Sequence, residues 1–155
     1  MKFKFIWTGR TRTGYLVSGI NDYLKRIKRY VQVEVKEIKD EKIKHMDKTA
    51  IQIKEAKRIK QIIKPGEYVI ALDEKGKLFN TETMADWLFQ VSKRGYKTVT
   101  FLIGGPLGMA PDLIEKADLN LSLSPLTFTH EMARLILTEQ LYRILTIWHG
   151  EGYHK

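Results

Sequence analysis

The last five residues, Glu151-Gly152-Tyr153-His154-Lys155, place a carboxylate, a phenol, an imidazole and an ammonium group next to one another. An imidazole exchanges a proton near neutral pH, and a phenol ring can stack on an unpaired nucleobase. Such a terminus is either a frayed end or a tail that reaches into a site. Upstream, Glu139 and Arg143 are four residues apart in a long amphipathic run, so they share a helix face as an ion pair of structural or functional use. His130 stands where that run begins. A different chemistry is signalled by Gly104-Gly105-Pro106-Leu107-Gly108. Glycine lets a ligand approach the backbone closely, and Pro106 stiffens the turn. The loop follows an apolar run in which Val99, Phe101 and Ile103 alternate with Thr100 and Leu102, the pattern of a buried strand. Open α/β sheets bind ligands where such strands end; a plain tight turn into the next helix is the other reading. The loop is neither GxGxxG nor a P-loop, because no Gly-Lys-Ser/Thr follows.

Several chemistries drop out. The chain has no cysteine, which removes disulfides, thiolate metal sites and cysteine nucleophiles. The four histidines, His45, His130, His149 and His154, form no HExxH pattern, so no metal is expected. There is no GxSxG, and Ser122 and Ser124 fall in a strand-to-loop segment. Asp73 and Glu74 end a strand, a position shared by active sites and solvated turns.

These groups need a scaffold, and the periodicity supplies one. Lys2–Thr8 alternates Phe3, Phe5 and Trp7 with Lys2, Lys4 and Ile6 and reads as a first strand, followed by a basic loop, Gly9–Gly14. Arg10 and Arg12 in that loop can meet phosphates or simply be solvated. Ile20, Tyr23, Leu24 and Ile27 step as an amphipathic helix whose other face carries Lys25, Arg26, Lys28 and Arg29. Val31, Val33 and Val35 mark a second strand, and a charged connector, 39–47, follows. Asp47 caps a helix running to about Ile63, which Pro65-Gly66 ends. Tyr68–Asp73 is a third strand, with Asp73–Lys77 turning out of it. A helix from about Thr81 to Gly95, the strand before the glycine loop, a short helix from Pro111 and a long helix from about Thr129 to Gly150 complete the chain. In the last helix Leu137, Leu141, Ile144, Leu145 and Trp148 form the apolar stripe. Strands alternating with helices predict one α/β domain over residues 1–155 with a mostly parallel sheet.

Of 155 residues, 43% are hydrophobic, enough for a real core. No run approaches the roughly 18–20 apolar residues that span a bilayer, and the first residues are too interrupted for a signal peptide, so a cytoplasmic protein is expected. The net charge of +9 is uneven: residues 1–64 hold 18 Lys and Arg against 7 Asp and Glu, and the rest hold 9 against 11. A basic half beside a near-neutral half points to a polyanion, most simply nucleic acid; a solvated lysine-rich surface is the alternative.

Taken together, LDEKGK (Leu72–Lys77), YLKRIKRY (Tyr23–Tyr30), LIGGPxG, LSLSxLT, the following histidine, RLILxEQLYR and the terminal YHK resemble the RlmH-type ribosomal RNA methyltransferases of the SPOUT superfamily. The resemblance covers essentially the whole chain. It implies an α/β sheet flanked by helices with a deep C-terminal trefoil knot, a homodimer, and S-adenosylmethionine as cofactor. It further implies methylation of N3 of a pseudouridine in 23S rRNA, on the assembled ribosome. By the same resemblance Leu72, Gly104 and the segment Leu123, Ser124, Pro125, Leu126, Thr127 and Phe128 contact the cofactor, and His130, Arg143, Tyr153 and His154 face the substrate. Two positions depart from the family pattern: Thr129 stands where proline usually precedes the histidine, and Gly152 where proline usually orders the tail. The residues agree with this reading. S-adenosylmethionine carries no phosphate, so no P-loop is needed; Leu72, Leu102, Leu107, Leu123 and Leu126 can wall an adenine and the glycines expose backbone. His130 or His154 can accept the N3 proton, and Arg143 can hold a base carbonyl or phosphate. With Gly152 in the tail, the free terminus is expected to be mobile. A SPOUT enzyme acting on transfer RNA or another base, and a non-catalytic RNA-binding assembly factor, are the alternatives.

Overall fold

The computed structural model describes residues 1–42 and 47–155; the middle of the charged connector, with His45, lies outside the described residues. The elements are β1 (Lys2–Thr8), α1 (Gly14–Ile27), β2 (Gln32–Ile38), α2 (Lys48–Ile62), β3 (Tyr68–Leu78), α3 (Thr81–Lys93), β4 (Thr98–Ile103), α4 (Pro111–Lys116), β5 (Leu119–Ser122) and α5 (His130–Trp148). The strands form one sheet in the order β2-β1-β4-β3-β5, with every pair parallel.

The sheet is covered on both faces, which is why its central strands are apolar on both sides. Phe3, Phe5 and Trp7 of β1 and Phe101 of β4 pack with α1, α3 and α5 on one face. Phe5 and Phe101 stack with ring centroids 5.4 Å apart. Ile6, Ala71 and Leu102 pack with α2 and α4 on the other. Burial on both faces also encloses Lys4, whose ammonium donates to the Ile62 carbonyl at 2.7 Å and pairs with Glu67 at 2.9 Å. Gly19 lets α1 and α5 approach closely, since a Cβ there would stand 2.9 Å from a Leu135 methyl carbon.

Three helices begin on a side-chain cap that satisfies an otherwise unpaired backbone N–H. Asp47 accepts from Ala50, Asn80 from Thr83 and Thr129 from Met132. Thr129 therefore has a local purpose: it starts α5.

One expected turn is not a turn. β3 continues through Asp73–Lys77 to Leu78, and its pairing with β5 shifts register between Leu72 and Lys77. Gly76 makes this possible, because a Cβ there would lie 2.7 Å from the Asn120 backbone. No helix among the described residues is long and apolar enough to cross a membrane.

Candidate active site

A groove of about 1020 Å³ opens at the carboxyl ends of the strands, where three segments meet. The first is the glycine loop after β4. Gly105 and Gly108 form a two-residue bridge, the Gly108 N–H donates to the Gly105 carbonyl at 3.0 Å, and Gly108 takes a φ of 75°. Gly104 is equally constrained: a Cβ would meet Met109 Cγ at 2.9 Å and the Gly108 carbonyl carbon at 3.0 Å. Helix α2 supports the loop from below. Gln52 donates its side-chain N–H to the Leu107 carbonyl at 2.9 Å. Glu55, buried beside Gly105, accepts from the Glu41 N–H at 3.2 Å. Burial raises the Glu55 carboxyl above its ordinary value, against the lowering effect of the Glu41 N–H bond, and the charge of nearby Asp40 adds to the rise.

The second segment follows β5. The Ser122 hydroxyl donates to the Ser124 carbonyl at 3.1 Å, and the Leu126 N–H donates to the Ser124 hydroxyl at 3.0 Å, a side-chain-stabilised turn. Leu123, Ser124, Leu126, Thr127 and Phe128 line the groove, opposite Leu72 and Gly104. Pro125 lies within the turn, exposed. Leu102 does not serve as a wall. It points to the α2–α4 face and is wholly buried there, because adjacent strand residues face opposite sides; Ile103 and Leu121 line the groove instead.

The third segment is the start of α5 with the β1–α1 loop. His130 lines the groove, half-buried. Burial, then the charge of Arg134, lowers its pKa below the ordinary histidine value, so the ring is neutral at neutral pH. Glu131 accepts from the backbone N–H groups of Arg12 and Thr13 and from the Thr13 hydroxyl, fastening the basic loop to α5. Arg134, wholly buried, donates to the Thr8 carbonyl and the Thr11 hydroxyl and lies over the Trp7 ring.

The remaining expected substrate residues are elsewhere on the chain. Arg143 binds Glu139 at 2.5 Å and lies over the Tyr153 ring, 4.8 Å from its centroid. Tyr153 reaches Glu139 at 3.2 Å and packs edge-on against Tyr142. His154 sits 3.5 Å from Glu82 of α3, and Tyr30 donates to Glu151 at 2.8 Å. Within one chain the structure thus gathers His130 with Leu72, Gly104 and the 123–128 segment, and joins Arg143 to Tyr153 in a second cluster away from the groove, with His154 beside Glu82. The tail is also docked on α1, α3 and α5 rather than free: Tyr153 reaches Tyr23 and Glu139 and packs on Tyr142, and His154 meets Glu82.

Glu131, Arg134, Gln52 and Glu55 did not stand out in the sequence as site residues. Arg134 left a trace: it lies at i−3 and i−7 from Leu137 and Leu141, a charge on an apolar stripe. Among the described residues, no group of three or more histidines and carboxylates could hold a metal ion.

A wholly parallel, doubly covered sheet with a glycine-rich groove at its carboxyl edge defines an α/β enzyme scaffold. The chain belongs to the SPOUT methyltransferase family: the family described as "Predicted SPOUT methyltransferase" matches residues 1–154. Among its relatives are proteins named ribosomal RNA large subunit methyltransferase H. The one from Alkaliphilus oremlandii is 42% identical over 100% of both chains. That from Desulforamulus reducens is 40% identical, over 100% of this chain and 99% of its own. Solved structures share the fold at 12% identity. A probable methyltransferase from Bordetella pertussis aligns with a TM-score of 0.56 over 92% of this chain and 95% of its own. A probable methylase family protein from Haemophilus influenzae aligns with a TM-score of 0.53 over 99% and 70%.

Proposed function

We propose that this chain is a cytoplasmic, homodimeric methyltransferase that uses S-adenosylmethionine to methylate N3 of a pseudouridine in 23S rRNA on the assembled ribosome. The observation that carries the proposal is the convergence of Leu72, the Gly104–Gly108 loop, the 123–128 segment and His130 on one groove. Relatives named ribosomal RNA large subunit methyltransferase H, similar over the full chain, supply the substrate class. The trefoil knot belongs to the same proposal. It is supported by the chain's membership of the SPOUT methyltransferase family.

The groove suits the cofactor. Leu72, Ile103, Leu121 and Leu123 offer apolar walls for an adenine, and the turns at 104–108 and 122–126 offer backbone groups in place of a phosphate cradle. When bound, S-adenosylmethionine supplies an electrophilic methyl group. The chain's own residues position the acceptor and manage its proton. Neutral His130 at the rim accepts the N3 proton as the imide nitrogen attacks. Arg143, Tyr153 and His154 complete the site from the second subunit: the guanidinium stabilises the imide anion and the phenol stacks on the base. Their separation from the groove within one chain supports this composite arrangement.

The test is mass spectrometry of rRNA after incubating the protein with S-adenosylmethionine and ribosomes from a strain lacking the modification. One N3-methylpseudouridine in 23S rRNA is expected. Methylation of transfer RNA or another base would replace the substrate, and absence of S-adenosylmethionine binding would leave an RNA-binding assembly factor.

A further inference from the structure

Helices α1 and α2 both start at the groove rim and descend away from it, yet their charges differ. From Gly14 to Leu24, α1 has no basic residue, and Lys25, Arg26, Lys28 and Arg29 come only at and just past its far end. α2 is basic from its first turn: Lys48 lines the groove, and Lys54, Lys57, Lys60 and, just past the helix, Lys64 are exposed. Its one acidic residue, Glu55, points inward and is buried. Lys60 is paired with Asp112, but among the described residues Lys48, Lys54, Lys57 and Lys64 make no ion pair. Beside them lies a shallow depression of about 430 Å³ whose lining includes Ile53, Ala56, Lys57 and Lys60. Ile53 is 61% exposed in the midst of these cations.

We propose that the outer face of α2 is the track along which ribosomal RNA runs into the groove, with Lys54, Lys57 and Lys64 on its phosphates, Ile53 against a ribose or base face, and Lys48 at the groove end of the helix. This rests on the reading of the substrate as ribosomal RNA. The helix is about 22 Å long, room for several successive phosphates. A nucleic acid strand offers both an anion for each ammonium group and a flat apolar surface for Ile53, which the mixture of groups on this face requires. The track is also joined to the cofactor side, because Gln52 on the same helix holds the glycine loop through Leu107.

The experiment compares the full-length protein with Lys54→Gln/Lys57→Gln/Lys64→Gln and, as a control, Lys25→Gln/Lys28→Gln. Affinity for ribosomes and for deproteinised 23S rRNA is measured against salt, beside methylation kinetics and S-adenosylmethionine affinity. The triple variant should raise the KM for ribosomes by on the order of tenfold and reduce the slope of log affinity against log salt by about 2, with kcat and cofactor affinity unchanged. The control should match the parent protein. A parent-like KM and slope in the triple variant, while the parent methylates rRNA, overturns the track and leaves the substrate reading intact. A parent that methylates no rRNA overturns both. A defect seen with ribosomes but absent with deproteinised RNA assigns the face to a ribosomal protein and overturns the RNA track.

Discussion

Arg134 on α5 and Thr8 at the end of β1 are joined by a hydrogen bond of 2.6 Å from the guanidinium to the backbone carbonyl, 126 residues apart in sequence. The same guanidinium donates to Thr11 at 2.9 Å, so a single buried side chain ties the last helix to the loop that leaves the first strand. Arg134→Met should cost on the order of 3 kcal/mol, since it leaves the Thr8 carbonyl without its charged partner. Chemical denaturation measures the loss. Arg134→Lys should recover little of it, because an ammonium cannot reach two acceptors as the planar fork does.

The glycine loop has no room for a side chain. Gly104→Val should abolish S-adenosylmethionine binding by calorimetry, because the new Cβ would displace Met109 and the Gly108 backbone. Far-ultraviolet circular dichroism should stay unchanged. Unaltered affinity would remove this loop from the cofactor site.

With His130 as the base, the reaction should have an acid limb. Its folded pKa is lowered from 6.5, so the ring is already neutral at pH 7 and the base form is lost only as the pH falls below that ordinary value. Methyl transfer should decline over that acid range, and His130→Gln should remove this limb while slowing transfer by about 10²–10⁴-fold. Stability follows the same sign. The unfolded chain binds the proton more readily than the folded one, so the contribution of His130 is present above pH 6.5 and falls as the pH drops through the window beneath it. An imidazole titration followed by NMR checks the direction.

The tail should be dispensable for the fold and essential for transfer. Deleting Tyr153–Lys155 removes the Tyr142–Tyr153 pair, an expected loss of about 1 kcal/mol, and should leave dimerisation and most S-adenosylmethionine affinity in place. Methyl transfer should vanish. Mixing a Gly104→Val chain with the tail-deleted chain should restore one working site per heterodimer if the tail serves the partner. Heterodimers without activity would mean that the tail serves its own subunit or none.

What the sequence by itself determined is local. Alternation in Lys2–Thr8, helical spacing from Ile20 to Ile27, the cap Asp47 and the stops at Gly95 and Gly150 each depend on neighbours a few residues away, and each element formed where those signals lie. The glycine loop was legible because its residue types restrict the backbone wherever they occur, whereas the 123–128 segment was read from the family resemblance. Tertiary structure decided the rest. Strand order sets which face each strand presents to which helix layer, so Lys4 became a buried cation paired with Glu67, and Ile103 rather than Leu102 walls the groove. The register shift against β5 turned Asp73–Lys77 from a loop into strand. Whether His130 shares a site with Arg143 and Tyr153 depends on where α5 and the tail dock, and packing of Tyr153 on Tyr142 sends the tail away from the groove of its own chain. Such contacts join residues far apart in the chain, and no local spacing encodes them.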